Sequence, residues 1–426
     1  MRFVADFERG NFLSWDGRQR HVRCAVVSTP TEETMKLAED IIQDMKAWRR
    51  HLHAHPELAF KEFSTAELVA SVLRKHGIEV HEQVGRTGVV GTITRGAGPS
   101  IGLRADMDAL PMNERNGFEH RSRHEGRMHG CGHDGHTSML LGAAVALSRS
   151  DDWQGTVHFI FQPAEEAEGG ARAMIEEGLF ERFPCDMVFG LHNWPGLPLG
   201  VFAINPGPMM ASFDTFEICV QGRGGHAAMP ELARDTLLCA SNIVVALQSV
   251  VSRRLCPHDT AVLSITQIHG GEAWNVLPDE AVIRGTVRCY SEQTQNHIQA
   301  LLRDISEGVA KTHGAAASVT YNEGYPATVN APDASNIALA AAAQVAGMPN
   351  VRTGGRPSMA SEDFAFMLNA KPGAYIWLGV DADHGATVPL HNEYFDFNDE
   401  ALEIGARYWM ALVRSAQRAG AQAGQA

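Results

Sequence analysis

Three apolar stretches of this chain run straight onto side chains that can bind metals, and no other feature limits the fold as much. SIGLRA leads to Asp106 and Asp108, HFIFQPA to Glu165 and Glu166, and MVFGL to His192. Helix-like apolar spacing lies between them, at 136–149 and 169–178. Strands alternating with helices build a layered α/β sheet, and open sheets of this kind hold their ligands beyond the carboxyl ends of the strands. The three strand ends are therefore expected to converge on one crevice.

At 426 residues the chain is too long for one ordinary core, so two domains or one domain with an insertion are expected. Residues 209–323 read as strand, helix, strand, strand, helix, strand, the order of a ferredoxin-like split βαβ unit. We expect this segment to form an inserted lid or dimerisation domain, dividing a catalytic domain into 31–208 and 324–420. Residues 1–30 have no unbroken apolar run of the signal-peptide kind and read as an extension.

Charge and cysteine usage narrow the function. Lys and Arg number 36 against 50 Asp and Glu, a net charge of −14 that disfavours nucleic acid and anionic membrane surfaces. No apolar run reaches the roughly 18 residues that a membrane span needs. The seven cysteines are odd in number and form no CxxC pair, which argues against a disulfide framework and for reduced thiols in the cytoplasm.

The densest local signal is Met128-His-Gly-Cys-Gly-His-Asp-Gly-His136. Cys131, His133 and His136 offer one soft and two borderline ligands, and the intervening glycines let them converge. A glycine-rich loop capped by Asp134 or Thr137 explains part of the same pattern. In Gln162-Pro-Ala-Glu-Glu166, adjacent residues of an extended chain point to opposite sides, so one carboxylate can hold metal while the other faces water. An isolated acidic pair is more often a solvated loop. His192 at a strand end and His391 in Val388-Pro-Leu-His-Asn392 gain weight only from their placement. His51, His53 and His55 resemble the His-x-His of barrel amidohydrolases, but no series of eight βα units follows them. His124 and His129 stand five apart, the wrong spacing for HExxH.

Taken together, RRHLHAHPEL, GLRADMDALPM, MHGCGHDGHTSMLLGAA, GTVHFIFQPAEE, HNWPG, GHAAMP, NVLPDEAVIRGTVR, SEDFAF and LHNEYFDFND resemble the M20 metallopeptidase family over residues 45–409. The likeness is to its amidohydrolase branch of hippurate hydrolases, aminoacylases and auxin-conjugate hydrolases. The resemblance implies cleavage of the amide bond of N-acyl amino acids at a site with two divalent ions. It implies Cys131, His133, Glu166, His192 and His391 as ligands and Glu165 as general base. Zinc, manganese, cobalt and nickel all suit such donors. Asp106 stands where the wider clan has histidine, so Asp106 and Asp108 read as supports behind the ligands. His226, Asn275 and Arg288 match substrate-holding positions, with His226 acting on a neighbouring subunit of a homodimer. A dipeptidase or carboxypeptidase on the same scaffold, and a non-catalytic metal sensor, are the alternatives. A sensor would need the ligand Glu166 but not the base Glu165.

Overall fold

The computed structural model describes residues 36–166, 168–381 and 387–423. The expected extension at 1–30 lies outside the described residues. Runs such as Gly155–Gln162 and Ser100–Asp106 are apolar on both faces, and both faces are covered, as a parallel sheet between helices requires. They belong to an eight-stranded mixed sheet in the order Glu79–Val84, Gly88–Arg95, Gly155–Gln162, Ser100–Asp106, Met187–Pro198, Gly373–Asp381, Phe202–Ala203, Val351–Arg352. The central four run parallel. The layered α/β class expected from the sequence is the class observed.

The helix His133–Ser148 is buried along nearly its whole length, which its glycines and alanines permit. It packs against the helices Glu39–Ala54 and Ala401–Ala423. Its entry depends on Gly132, left-handed at φ 94°, where a Cβ would stand 2.2 Å from Asn193 Oδ1. No helix among the described residues is long and apolar enough to cross a membrane.

A second sheet has its own core. Its antiparallel strands lie in the order Ala261–His269, Glu280–Cys289, Phe213–Gln221, Ala316–Tyr325, and the helices Thr236–Leu247 and Glu292–Thr312 cover one face. Burial alternates along Phe213–Gln221, the mark of a sheet apolar on one side. The first of these helices starts only at Thr236, because a 3-10 turn occupies Pro230–Leu232 and Asp235 caps the helix through Leu238 N–H.

Two local expectations need correction. The strand expected to stop at His192 runs on to Pro198, because Gly373–Asp381 pairs with it beyond that point, His192 opposite Trp377 and Asn193 opposite Leu378. Glu165 and Glu166 are not extended either. Their strand ends at Gln162, and Ala164 turns the chain at φ 54°, so alternation along a strand does not assign the two carboxylates different tasks.

Candidate metal centre

The strand end at Asp106 and the start of the helix at His133 meet at the crevice. His133 Nδ1 donates to the Asp108 carbonyl at 2.8 Å, which leaves Nε2 facing forward, 3.8 Å from Glu166 Oε1. Both of these forward atoms are buried and have no hydrogen-bond partner. Cys131 Sγ lies 3.5 Å from His192 Nε2, and His391 Nε2 lies 3.4 Å from Glu166 Oε2. All five sequence-predicted ligands are thus brought together, and Cys131, His133 and Glu166 hold their donor atoms within 4.8 Å of one another. His391 reaches the group from a left-handed residue at φ 62°, its N–H bonded to the Gly130 carbonyl at 2.8 Å.

Asp106, His133, His136 and His192 form a second group of close donors. Here, however, His136 is engaged at both nitrogens, by Asp106 Oδ1 at 2.6 Å and by Asn193. Asp106 in turn is bound to buried Arg104 at 2.8 Å. These contacts leave His136 no free nitrogen, whereas His133 keeps one.

The chemistry of the donors suits a cation. Burial, with Glu166 and Glu165 beside it, pushes the Cys131 thiol well above its ordinary value. Burial and the nearby His136 hold His192 well below the ordinary histidine value, so it presents a neutral imidazole. Burial and then Glu362, Glu166, Asp363 and Asp108 push Glu165 well up. Unpartnered carboxylate and imidazole atoms beside a thiol are the donors that a divalent ion of borderline softness binds. The residues present fit the metal group that the sequence implies.

Glu165 itself is buried, with its N–H on Asp108 Oδ1 at 2.9 Å and its carbonyl accepting the Tyr325 hydroxyl at 2.7 Å. Its carboxylate lies close to those of Glu362 and Asp363. Arg104 ties the latter two to Asp106, and the Tyr375 hydroxyl donates to Glu362. Sequence reasoning gave no role to Arg104, Tyr325, Glu362 or Asp363. An arginine inside an apolar strand was the available signal for this network.

The same cavity, about 370 Å³, is lined by Cys131, Glu165, Glu166, Trp194, Phe213 and Arg288, among others. Arg288 donates to the Met359 carbonyl at 3.1 Å and lies 4.6 Å from the Phe213 ring centre. No carboxylate pairs with it among the described residues. His226 and Asn275 are elsewhere. They share an exposed two-stranded antiparallel ribbon where Gly225–His226 pairs with Val276–Leu277 and Ala227 N–H donates to the Asn275 carbonyl at 3.0 Å, and neither lines the cavity of its own chain.

Comparison with known proteins gives a consistent result. The model of peptidase family M20/M25/M40 matches residues 102–415. A hippurate hydrolase of Campylobacter jejuni is 42% identical over 375 residues, covering 88% of this chain and 97% of its own. An N-acetyl-L-cysteine deacetylase of Bacillus subtilis is 39% identical, covering 87% and 86%. Among solved structures, a putative aminohydrolase from methicillin-resistant Staphylococcus aureus superposes with a TM-score of 0.84 at 34% identity, covering 90% of this chain and 98% of its own. A dinuclear metal-binding M20 peptidase from Bacillus subtilis superposes with a TM-score of 0.78 at 33% identity, covering 89% and 99%. The chain belongs to peptidase family M20/M25/M40 and is a metal-dependent hydrolase.

Proposed function

We propose that the enzyme hydrolyses the amide bond of N-acyl amino acids, releasing a carboxylic acid and a free amino acid. One observation carries this reading. Cys131, Glu166, His192 and His391 line one cavity with the buried Glu165 and with Arg288, which has no carboxylate partner among the described residues, and His133 stands behind them with Nε2 3.8 Å from Glu166. Cys131, His133, Glu166, His192 and His391 would hold two divalent ions. When bound, such a pair supplies Lewis acidity toward both the amide carbonyl and the attacking water. Glu165 takes the proton of that water and passes it to the departing amine. Burial and then the charges of Glu362, Glu166, Asp363 and Asp108 raise the proton affinity of Glu165, which suits a group that first takes a proton and later gives it up. Arg288, which lines the cavity, would bind the α-carboxylate of the amino-acid half. Trp194, Met210, Phe213 and Leu390 offer apolar surface to the acyl half. The relatives named hippurate hydrolase and N-acetyl-L-cysteine deacetylase act on substrates of this class.

The same reading makes residues 209–323 a lid and dimerisation domain. His226 and Asn275, which do not line the cavity of their own chain, would complete that of a second copy. Exposed Trp274, Val276 and Leu238 on this unit suit an interface between copies. Six free cysteines among the described residues agree with a reducing cytoplasm.

The test is a panel of N-acetyl, N-benzoyl and indole-acyl amino acids, beside dipeptides with free amino termini, on metal-reconstituted enzyme. N-acyl substrates should be turned over and a chelator should stop the reaction. Preference for the dipeptides would make the enzyme a peptidase instead.

A further inference from the structure

Glu62 is fully buried at the start of the helix Phe63–Lys75, and no cation pairs with it among the described residues. A buried carboxylate without a cation is costly unless its oxygens are well used as acceptors. Those of Glu62 are. Oε1 accepts the Phe60 N–H at 3.0 Å and the Ala164 N–H at 2.9 Å, and Oε2 accepts the Thr87 hydroxyl at 2.5 Å.

Ala164 directly precedes Glu165. Its left-handed backbone, at φ 54°, costs an alanine about 1 kcal/mol and persists only where the surroundings hold it. The next two N–H groups, of Glu165 and Glu166, go to Asp108. Three successive peptide N–H groups are therefore drawn to two carboxylates behind the turn, while the side chains of Glu165 and Glu166 line the cavity.

We propose that Glu62 is a positioning residue for Glu165: by accepting the Ala164 N–H it fixes the left-handed residue ahead of the base, and so sets where the base carboxylate reaches into the cavity. This inference rests on Glu165 being the base. Nothing in the spacing of HPELAFKEF pointed to it, because the partner lies 102 residues further along.

The experiment measures kcat, KM and bound metal for full-length, metal-reconstituted Glu62→Gln, Glu62→Leu, Thr87→Val and Glu165→Gln, with N-benzoylglycine as substrate. In Glu62→Gln the amide oxygen still accepts from Ala164, so kcat should stay within about 3-fold of wild type. Glu62→Leu removes the acceptor and should lower kcat by roughly 10²-fold, the effect of a misplacement of about 1 Å, with KM and metal content unchanged. Thr87→Val leaves the Ala164 bond in place but frees the carboxylate, and should fall between the two. The inference is overturned by wild-type kcat in Glu62→Leu, by a loss confined to KM or bound metal, or by a Gln variant as slow as the Leu variant. Should Glu62→Leu not fold, wild-type kcat in Thr87→Val overturns it equally. Full activity in Glu165→Gln would mean that Glu165 is not the base. An inactive Glu165→Gln beside a fully active Glu62→Leu would remove the role of Glu62 alone.

Discussion

The carboxylate of Asp108 receives the backbone N–H of Glu165 on one oxygen at 2.9 Å, and its other oxygen receives the following N–H, of Glu166, at 3.1 Å. Asparagine in its place keeps one acceptor and turns an amide donor toward the second N–H. A buried donor left unpaired costs about 1–3 kcal/mol. Asp108→Asn is expected to lose metal affinity by roughly 10–100-fold, the usual effect of removing a residue that orients a ligand. Metal titration by calorimetry checks this, and unchanged affinity would mean that the turn holds without Asp108.

Glu165→Gln and Glu166→Gln should differ in kind. The first keeps shape but accepts no proton, so kcat should fall by roughly 10²–10⁴ with both metals retained. The second replaces a carboxylate donor by a neutral amide oxygen and should lose one metal, as should Cys131→Ser, where a hydroxyl replaces a thiolate. Metal stoichiometry beside steady-state kinetics separates them. The reverse pattern would exchange the two roles.

His226 is expected to act across subunits, since it stands on an exposed two-stranded ribbon and does not line the cavity of its own chain. Mixing inactive Glu165→Gln with inactive His226→Ala should restore activity once the dimers exchange subunits, because one mixed site then carries both residues intact. Exchange without recovery rules the role out.

A pH prediction comes from behind the site. Burial alone would lower the pKa of His53, but its hydrogen bond and charge pairing with Asp134, at 2.8 Å, and its contact with Glu114 raise it to about 9. The protonated form is favoured in the fold. The resulting stability is fully present below pH 6.5 and is lost as pH rises through about 9. The total is on the order of 3 kcal/mol. The difference in urea midpoint between wild type and His53→Gln should shrink across this window. A difference that stays constant would show that His53 does not titrate there.

Much of this molecule was legible in its sequence for a physical reason. Apolar runs long enough to be strands ended on ligand-type side chains, and parallel sheets collect their strand ends. The ferredoxin-like strand order of the second sheet was likewise visible in local periodicity. What stayed hidden depends on contacts between distant segments. The motif Cys131-Gly-His133-Asp-Gly-His136 could not show which imidazole stays free, because Asp106 and Asn193 occupy His136 only in the folded chain. The directions of Glu165 and Glu166 were inferred from an extended backbone. They are set instead by a turn whose N–H groups are taken by Glu62 and Asp108.

The central sheet also has a consequence for the order in which the protein can be made. The strand Met187–Pro198 receives its parallel neighbour Gly373–Asp381 only after another 175 residues have been synthesised. At 5–20 residues per second this leaves an apolar strand edge without its neighbour for roughly 10–35 s. Phe213–Tyr325 needs no later segment to complete its four-stranded sheet, so it can fold on the ribosome while the metal centre waits for His391. The interval is when the nascent chain is most exposed to edge-to-edge association, and truncation anywhere between residues 193 and 390 leaves a chain that carries four of the five proposed ligands and no finished site.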